Sequence, residues 1–143
     1  MISNTTGTQP AELRLQKGLE QILELQPKWK SSNSPEMQER GQLIRGSLPK
    51  VLRTILPTIS ELESSGFRVE GRDGTGLKTR VPWVRLFFPT HSPSATEGWY
   101  AVYIFASDGS AVFLSLNQGT TTYSNGTFVP RPRDYIHCKR AMR

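Results

Sequence analysis

The spacing of apolar residues changes about halfway along the chain. Residues 10–66 carry them at the three- and four-residue intervals of amphipathic helices, whereas residues 67–119 carry them in short runs typical of strands. Residues 1–9 are polar and are expected to be disordered. The pattern predicts an α+β domain over residues 10–143, with N-terminal helices followed by a small, mostly antiparallel β-sheet that the helices flank.

The helical part divides into three predicted helices. The first begins after Pro10, and Pro27 should end it. The second begins at Ser34, because a proline follows in the first turn, where it is tolerated. Ser47 is expected to cap the third helix, and Pro57 should kink or break it.

The strand part is built on apolar runs separated by turn residues. The strong hairpin signal is Asp-Gly within residues 107–110, which joins two of these runs. The run before it is apolar on both faces, so we expect a central strand covered by helices on at least one side. A basic tail from residue 131 is predicted to begin another helix. The predicted strands are residues 67–70, 81–88, 99–106 and 111–116.

Composition excludes several classes of protein. A chain of 143 residues forms one domain of ordinary size, and it has no apolar run of the roughly 18 residues that a membrane span needs. Without a signal peptide pattern, we expect a cytoplasmic protein. The single cysteine, Cys138, and the separated His91 and His137 do not have metal-ligand spacing. We therefore expect no metal, no cofactor and, since catalytic motifs are missing, no enzymatic activity.

The net charge of +6 favours an acidic partner, most commonly nucleic acid. Basic residues gather in a glycine-bearing loop, residues 68–80, and in the strand after it, where they can hold phosphates without reading sequence. The glycine spacing is not that of a nucleotide-binding fingerprint, and a solvated loop is the alternative interpretation. The candidate backbone contacts are Arg68, Arg72, Gly74, Thr75, Gly76, Leu77, Lys78, Arg80 and Arg85.

Aromatic residues cluster in the predicted strands beside this loop. An unpaired base can stack on such a ring, an interaction worth roughly 1–3 kcal/mol per base, although aromatic residues on strands are also common in cores. Strand alternation places Tyr100 and Ile104 on one face, and Trp99, Tyr103 and Phe105 on the other. The second group is the better candidate for core.

Three motifs in order carry a resemblance to a known family. They are Val81-Pro82-Trp83, residues 98–105 and residues 114–120. Together they resemble the N-terminal DNA-binding domain of McrB-type modification-dependent restriction systems. The resemblance implies binding of duplex DNA that contains C5-modified cytosine, with the modified base flipped into an aromatic and apolar pocket. It also implies that a separate nuclease domain or subunit performs the cutting.

Carried over residue by residue, the resemblance implies that Trp83 and Tyr100 stack on the base and that Ile104 lies near its methyl group. Burying one methyl is worth on the order of 1 kcal/mol, so the pocket should prefer modified cytosine. Asn117 and Gln118 either reach the edge of the base or hold the strand end. Where the family has a tyrosine near the site of base extrusion this chain has Thr75, and Leu77 or Arg72 are the candidates to replace it.

The expected substrate is DNA carrying 5-methylcytosine, with 5-hydroxymethylcytosine as a second candidate. Two other classes stay open at this point. One is a general nucleic-acid-binding module that does not flip a base, and the other is a protein-interaction domain.

Overall fold

Helical segments precede one antiparallel sheet in the computed structural model, which describes residues 9–59 and 66–131. Within these ranges the helices are α1 (Ala11–Leu25), α2 (Pro35–Gln42) and α3 (Leu48–Ile59), with a 3-10 turn at Gln26–Lys28 and a π-helical turn at Leu43–Ser47. The strands are β1 (Arg68–Arg72), β2 (Trp83–Phe87), β3 (Glu97–Phe105), β4 (Val112–Ser124) and β5 (Thr127–Pro130). This confirms the predicted α+β class. The predicted tail helix lies outside the described residues.

The helix boundaries follow the sequence signals at the start of α2 but not at the start of α3. The Ser34 hydroxyl accepts a hydrogen bond from the amide of Met37 at 3.3 Å, which caps α2. Ser47 does not cap α3, so that prediction is wrong. The π-helical turn joins α2 to α3, and the amide of Leu48 donates to the carbonyl of Leu43 within it. Of the two outcomes predicted at Pro57, the break is wrong, because α3 continues to Ile59, and the kink stays a prediction.

The five strands pair in sequence order, each antiparallel to the next. The helices pack on one face of this sheet, where Val69, Val84, Leu86 and Phe105 form the core together with Ile22, Ile44, Leu48 and Leu52. Gly71 allows β1 to approach the π-helical turn closely, since a Cβ there would lie 1.7 Å from the carbonyl oxygen of Ile44. The predicted covering of β3 by helices on one face is therefore confirmed.

A buried polar network joins the helices to the loop that precedes β2. The guanidinium of Arg40, which is fully buried, donates to Gln26 Oε1 at 2.7 Å and to the carbonyl of Thr79 at 2.8 Å. The Gln26 amide in turn donates to the carbonyls of Arg80 and Ala106. Burial lowers the pKa of Arg40, and the charge of Asp73 acts in the opposite direction. This network fixes the loop that enters β2 against α2.

None of the helices in the described ranges has the length and apolar character needed to cross a membrane.

Candidate functional site

The sheet face turned away from the helices, here called the outer face, carries two of the aromatic residues that the sequence pointed to, Trp83 and Tyr100. Trp83 pairs with Ile104 across β2 and β3, and Tyr100 pairs with Asn117 across β3 and β4. Since side chains of paired residues point to the same side, the register brings Trp83, Tyr100, Ile104 and Asn117 onto this one face.

Gln118 is not brought together with them. It pairs with Trp99, and both lie on the helix side of the sheet. Phe105 is fully buried there, and Tyr103 packs against the same core. The strand alternation thus separates the two aromatic groups in the way the sequence pattern predicts.

A cleft of about 740 Å³ opens on the outer face. Its floor comes from β1 and β2, and its walls come from the loop that follows β1, the loop that precedes β3, and the hairpin of β4 and β5. Because residues far apart in sequence line it, the hairpin must bend back over the outer face. The lining residues are Glu70, Arg72, Gly74, Thr75, Thr79, Trp83, Arg85, Pro93, Ser94, Ala95, Tyr123 and Phe128.

The floor of the cleft is an ion pair between Arg85 and the partly buried Glu70. Arg85 is buried and donates to Glu70 Oε2 from Nη2 at 3.0 Å and from Nε at 3.2 Å. Its Nη1 donates to Ser92 Oγ at 2.9 Å, and its guanidinium lies 3.6 Å from the centre of the Phe87 ring. With these groups engaged, Arg85 belongs to the floor and does not project toward a phosphate.

Glu70 remains ionised at neutral pH in this setting. Burial raises the pKa of Glu70, but hydrogen bonds and charges from Arg72 and Arg85 together outweigh it, so its pKa lies below the ordinary value. Arg72 binds the other carboxylate oxygen at 2.5 Å. The cleft therefore presents a fixed acceptor beside Trp83.

The other basic residues of the predicted phosphate-binding loop are mostly engaged within the protein. Lys78 Nζ lies 3.3 Å from Asp73 Oδ2, with little of the lysine side chain exposed. The guanidinium of Arg80 lies 3.9 Å from the centre of the Trp29 ring, a cation–π contact. Arg68 is exposed on the edge strand β1. Lys78 and Arg80 thus have partners within the protein, whereas Arg68 is open to solvent.

Two glycines with positive φ, Gly74 at 104° and Gly76 at 80°, shape the tip of the loop. A Cβ on Gly74 would lie 2.4 Å from the carbonyl oxygen of Leu77, so the tight turn requires glycine there. Thr75 lies between them on the wall of the cleft, and Leu77 is largely exposed to solvent. The loop thus presents a small polar residue and an apolar one at its tip.

Tyr100 contacts the loop that precedes β3, which forms another wall of the cleft. Its hydroxyl donates to the carbonyl of Ala95 at 2.9 Å, and its ring centre lies 5.5 Å from the guanidinium carbon of Arg85. Burial raises the pKa of Tyr100, while the charge of Arg85 acts in the opposite direction. Asn117 is also engaged, since its Oδ1 accepts a hydrogen bond from Ser115 Oγ at 2.9 Å.

An aromatic pair on the hairpin of β4 and β5 was not predicted from the sequence. Tyr123 and Phe128 face each other across the ladder with ring centres 5.2 Å apart, and their exposed fractions are 64% and 63%. The missed signal is Asn125-Gly126, whose positive φ values of 50° and 80° suit a two-residue hairpin turn. The Asn-Gly dipeptide alone would have extended the predicted sheet beyond residue 116.

The described ranges hold no group of three or more His, Cys, Asp and Glu side chains arranged to bind a metal ion.

Comparison with known proteins adds one finding. A family model described as MrcB-like, N-terminal domain matches residues 21–142. The matched range contains α2, α3, every strand described above and every residue that lines the cleft. No curated protein and no solved structure matches the chain.

Proposed function

Because the chain belongs to the family of MrcB-like N-terminal domains, we propose that it binds duplex DNA and accepts an extruded C5-modified cytosine in the cleft beside Trp83. The observation that carries this proposal is the combination of aromatic walls and a charged floor in one cleft. Its volume of about 740 Å³ lies within the range of about 300–1,000 Å³ that is typical of small-molecule sites.

Stacking holds the base. Trp83 provides one ring from the floor, and Tyr123 and Phe128 provide rings from the hairpin wall. Each stacked base gains roughly 1–3 kcal/mol from such contacts. Both hairpin rings are largely exposed and contact each other, so they are open to a ligand.

Glu70 selects cytosine. A carboxylate accepts a hydrogen bond from the exocyclic amino group of cytosine, whereas thymine presents a carbonyl at that position. The two arginine partners keep Glu70 ionised and hold its orientation. The acceptor is therefore in place before a base arrives, which reduces the cost of ordering it on binding.

The methyl group accounts for the preference for modified over plain cytosine. Ile104, like Tyr100 and Asn117, does not itself line the cleft, but it pairs with Trp83 on the outer face and offers apolar surface at the edge of the cleft. Burial of one methyl, worth on the order of 1 kcal/mol, corresponds to about a fivefold preference for methylated over plain cytosine. A hydroxymethyl group is a second candidate modification for the same position.

In this proposal the chain is a recognition module. A nuclease domain or subunit would cut the DNA, and the site of action would be the cytoplasm. The module would need neither a metal nor a cofactor, because stacking and hydrogen bonding suffice for binding.

A titration tests the proposal. The unaltered chain should bind a duplex with 5-methylcytosine about fivefold more tightly than a plain duplex of the same sequence, with a hydroxymethylated duplex as the third arm. Trp83→Ala should remove this preference and keep part of the salt-sensitive binding. Trp99→Ala is the matched control, because Trp99 lies on the opposite face of the same sheet.

Equal binding of methylated and plain duplexes by the unaltered chain would refute base recognition and leave a general nucleic-acid-binding module. A protein-interaction role is the other candidate, favoured by the exposed apolar residues Phe113, Leu114 and Leu116 on β4. Absence of salt-dependent binding to any nucleic acid would favour that role.

A further inference from the structure

A second basic region lies on the helices, outside the cleft. Two adjoining depressions of about 590 Å³ and 320 Å³ share Ser47 and Lys50 in their linings, so they form one continuous surface. No acidic residue lines either of them. We call this the helical basic surface and define it by Arg14, Lys17, Arg45, Lys50 and Arg53.

The charges of this surface are mostly not neutralised by neighbours. Within residues 9–59 and 66–131, Arg14, Lys17, Lys50 and Arg53 form no ion pair. Arg45 does pair with Asp73, at 3.1 Å, yet its side chain is 55% exposed. In the cleft, by contrast, each of the two arginines is paired with Glu70.

On helix α1, the charged residues that line two different depressions differ in sign. Arg14 and Lys17 line the helical basic surface, whereas Glu12 and Glu20 line a different, apolar depression together with Val112. Such segregation concentrates positive potential on one side of the helix. The cations of the helical basic surface are therefore less often ion-paired than those of the glycine-bearing loop and the strand after it.

The surface borders the cleft through the edge strand β1. Arg53 Nη2 donates to the carbonyl of Val69 at 3.2 Å, and the next residue, Glu70, lines the cleft. Arg45 binds Asp73, and the next residue, Gly74, lines the cleft as well. A ligand in the cleft that extends past β1 would thus reach these cations.

We infer that the helical basic surface binds the phosphate backbone of the same duplex whose modified base enters the cleft. This inference rests on the proposed function. Exposed lysine and arginine side chains position a protein on a duplex through phosphates without reading sequence. The main backbone contacts would then lie on the helices rather than on the glycine-bearing loop, whose cations are mostly engaged within the protein.

The test uses the full chain and measures how affinity for a methylated duplex depends on salt. Each phosphate contact contributes a slope of about 0.9 in log affinity against log salt, so Lys17→Gln with Lys50→Gln should lower the slope by about 1.8. Between about 50 and 200 mM salt, the affinity loss should then be about twelvefold smaller. Both lysines are exposed, and the single variant Lys50→Gln should show half of the slope change.

A charge-matched control separates local contact from net charge. Adding Glu12→Gln and Glu20→Gln to the double variant restores the net charge on the opposite side of α1. The slope should stay low in this quadruple variant, and the preference for methylated over plain DNA should be unchanged in all variants.

An unchanged slope in the double variant would overturn the inference and leave an acidic protein as the partner for this surface. Recovery of the slope in the quadruple variant would also overturn it, because net charge alone would then explain the effect. If the unaltered chain binds methylated and plain duplexes equally well, the proposed function is contradicted, whatever the salt slopes show.

Discussion

Replacing Arg40 with methionine should destabilise the fold by about 3 kcal/mol. Methionine is close to arginine in length, so the packing of the aliphatic stem is largely kept. What disappears is the guanidinium, which is fully buried between α2 and the loop before β2. The change therefore isolates the polar contribution of this side chain.

The magnitude follows from the contacts that are lost. The donor atoms of Arg40 lie 2.7 Å from Gln26 Oε1 and 2.8 Å from the carbonyl oxygen of Thr79. A hydrogen bond to a charged group is worth about 1.5–3 kcal/mol, and each acceptor left buried adds a desolvation penalty. Part of this loss of stability is offset, because the variant no longer buries a charge. Burial disfavours that charge, as the lowered pKa of Arg40 shows. The balance gives about 3 kcal/mol, in line with removing one partner from a buried charged network.

Urea unfolding measures the effect. With a slope of about 2 kcal/mol per molar urea, the midpoint should fall by about 1.5 M. Arg68→Met is the matched control, because Arg68 is exposed on β1 and surface substitutions usually change stability by no more than about 0.5 kcal/mol. If the two variants unfold at the same midpoint, Gln26 and Thr79 find other partners and the network is not needed for stability.

Two further predictions concern backbone geometry and pH. Gly98→Ala should cost more than about 3 kcal/mol, because φ is +72° and a Cβ would lie 1.7 Å from the carbonyl oxygen of His91. Gly46→Ala, with open space around it, should show no loss in the same thermal unfolding measurement, and an equal loss in both would contradict the steric reason. Glu70→Gln should be less stable than the parent at neutral pH, and the gap should close on acidification. The sign follows from the lowered pKa of Glu70: its contribution is present above the unfolded value of about 4.3 and is lost as pH falls through the folded value. A constant gap down to pH about 3 would refute this.

The order of elements and the faces of β3 were predictable from the sequence. Helical and strand periods differ, so apolar spacing alone located the change near Gly66. A period of two assigned Tyr100 and Ile104 to one face and Phe105 to the other, and the register places them so. These features depend on residues a few positions apart in the chain, so the spacing of apolar residues in the sequence is enough to predict them.

Helix continuity was less predictable. Ser47 carries a good capping side chain, yet the chain stays helical through it by a π-helical turn. Packing of that turn on β1 at Gly71 is a tertiary contact that local propensity does not contain.

Only the tertiary structure decided which charges face solvent. Three interactions join residues from different elements, and composition cannot predict them. They are Glu70 with Arg85, Arg40 with Thr79, and Asp73 with Arg45. The glycine-bearing loop therefore looked like the basic surface in sequence, whereas pairing neutralises much of it and leaves the helical basic surface with more unpaired cations. The sequence by itself determined the fold class, the family and the position of Trp83 on a strand. The cleft depends on a hairpin that brings Tyr123 and Phe128 back over the sheet, and such long-range closure is visible only once the chain has folded.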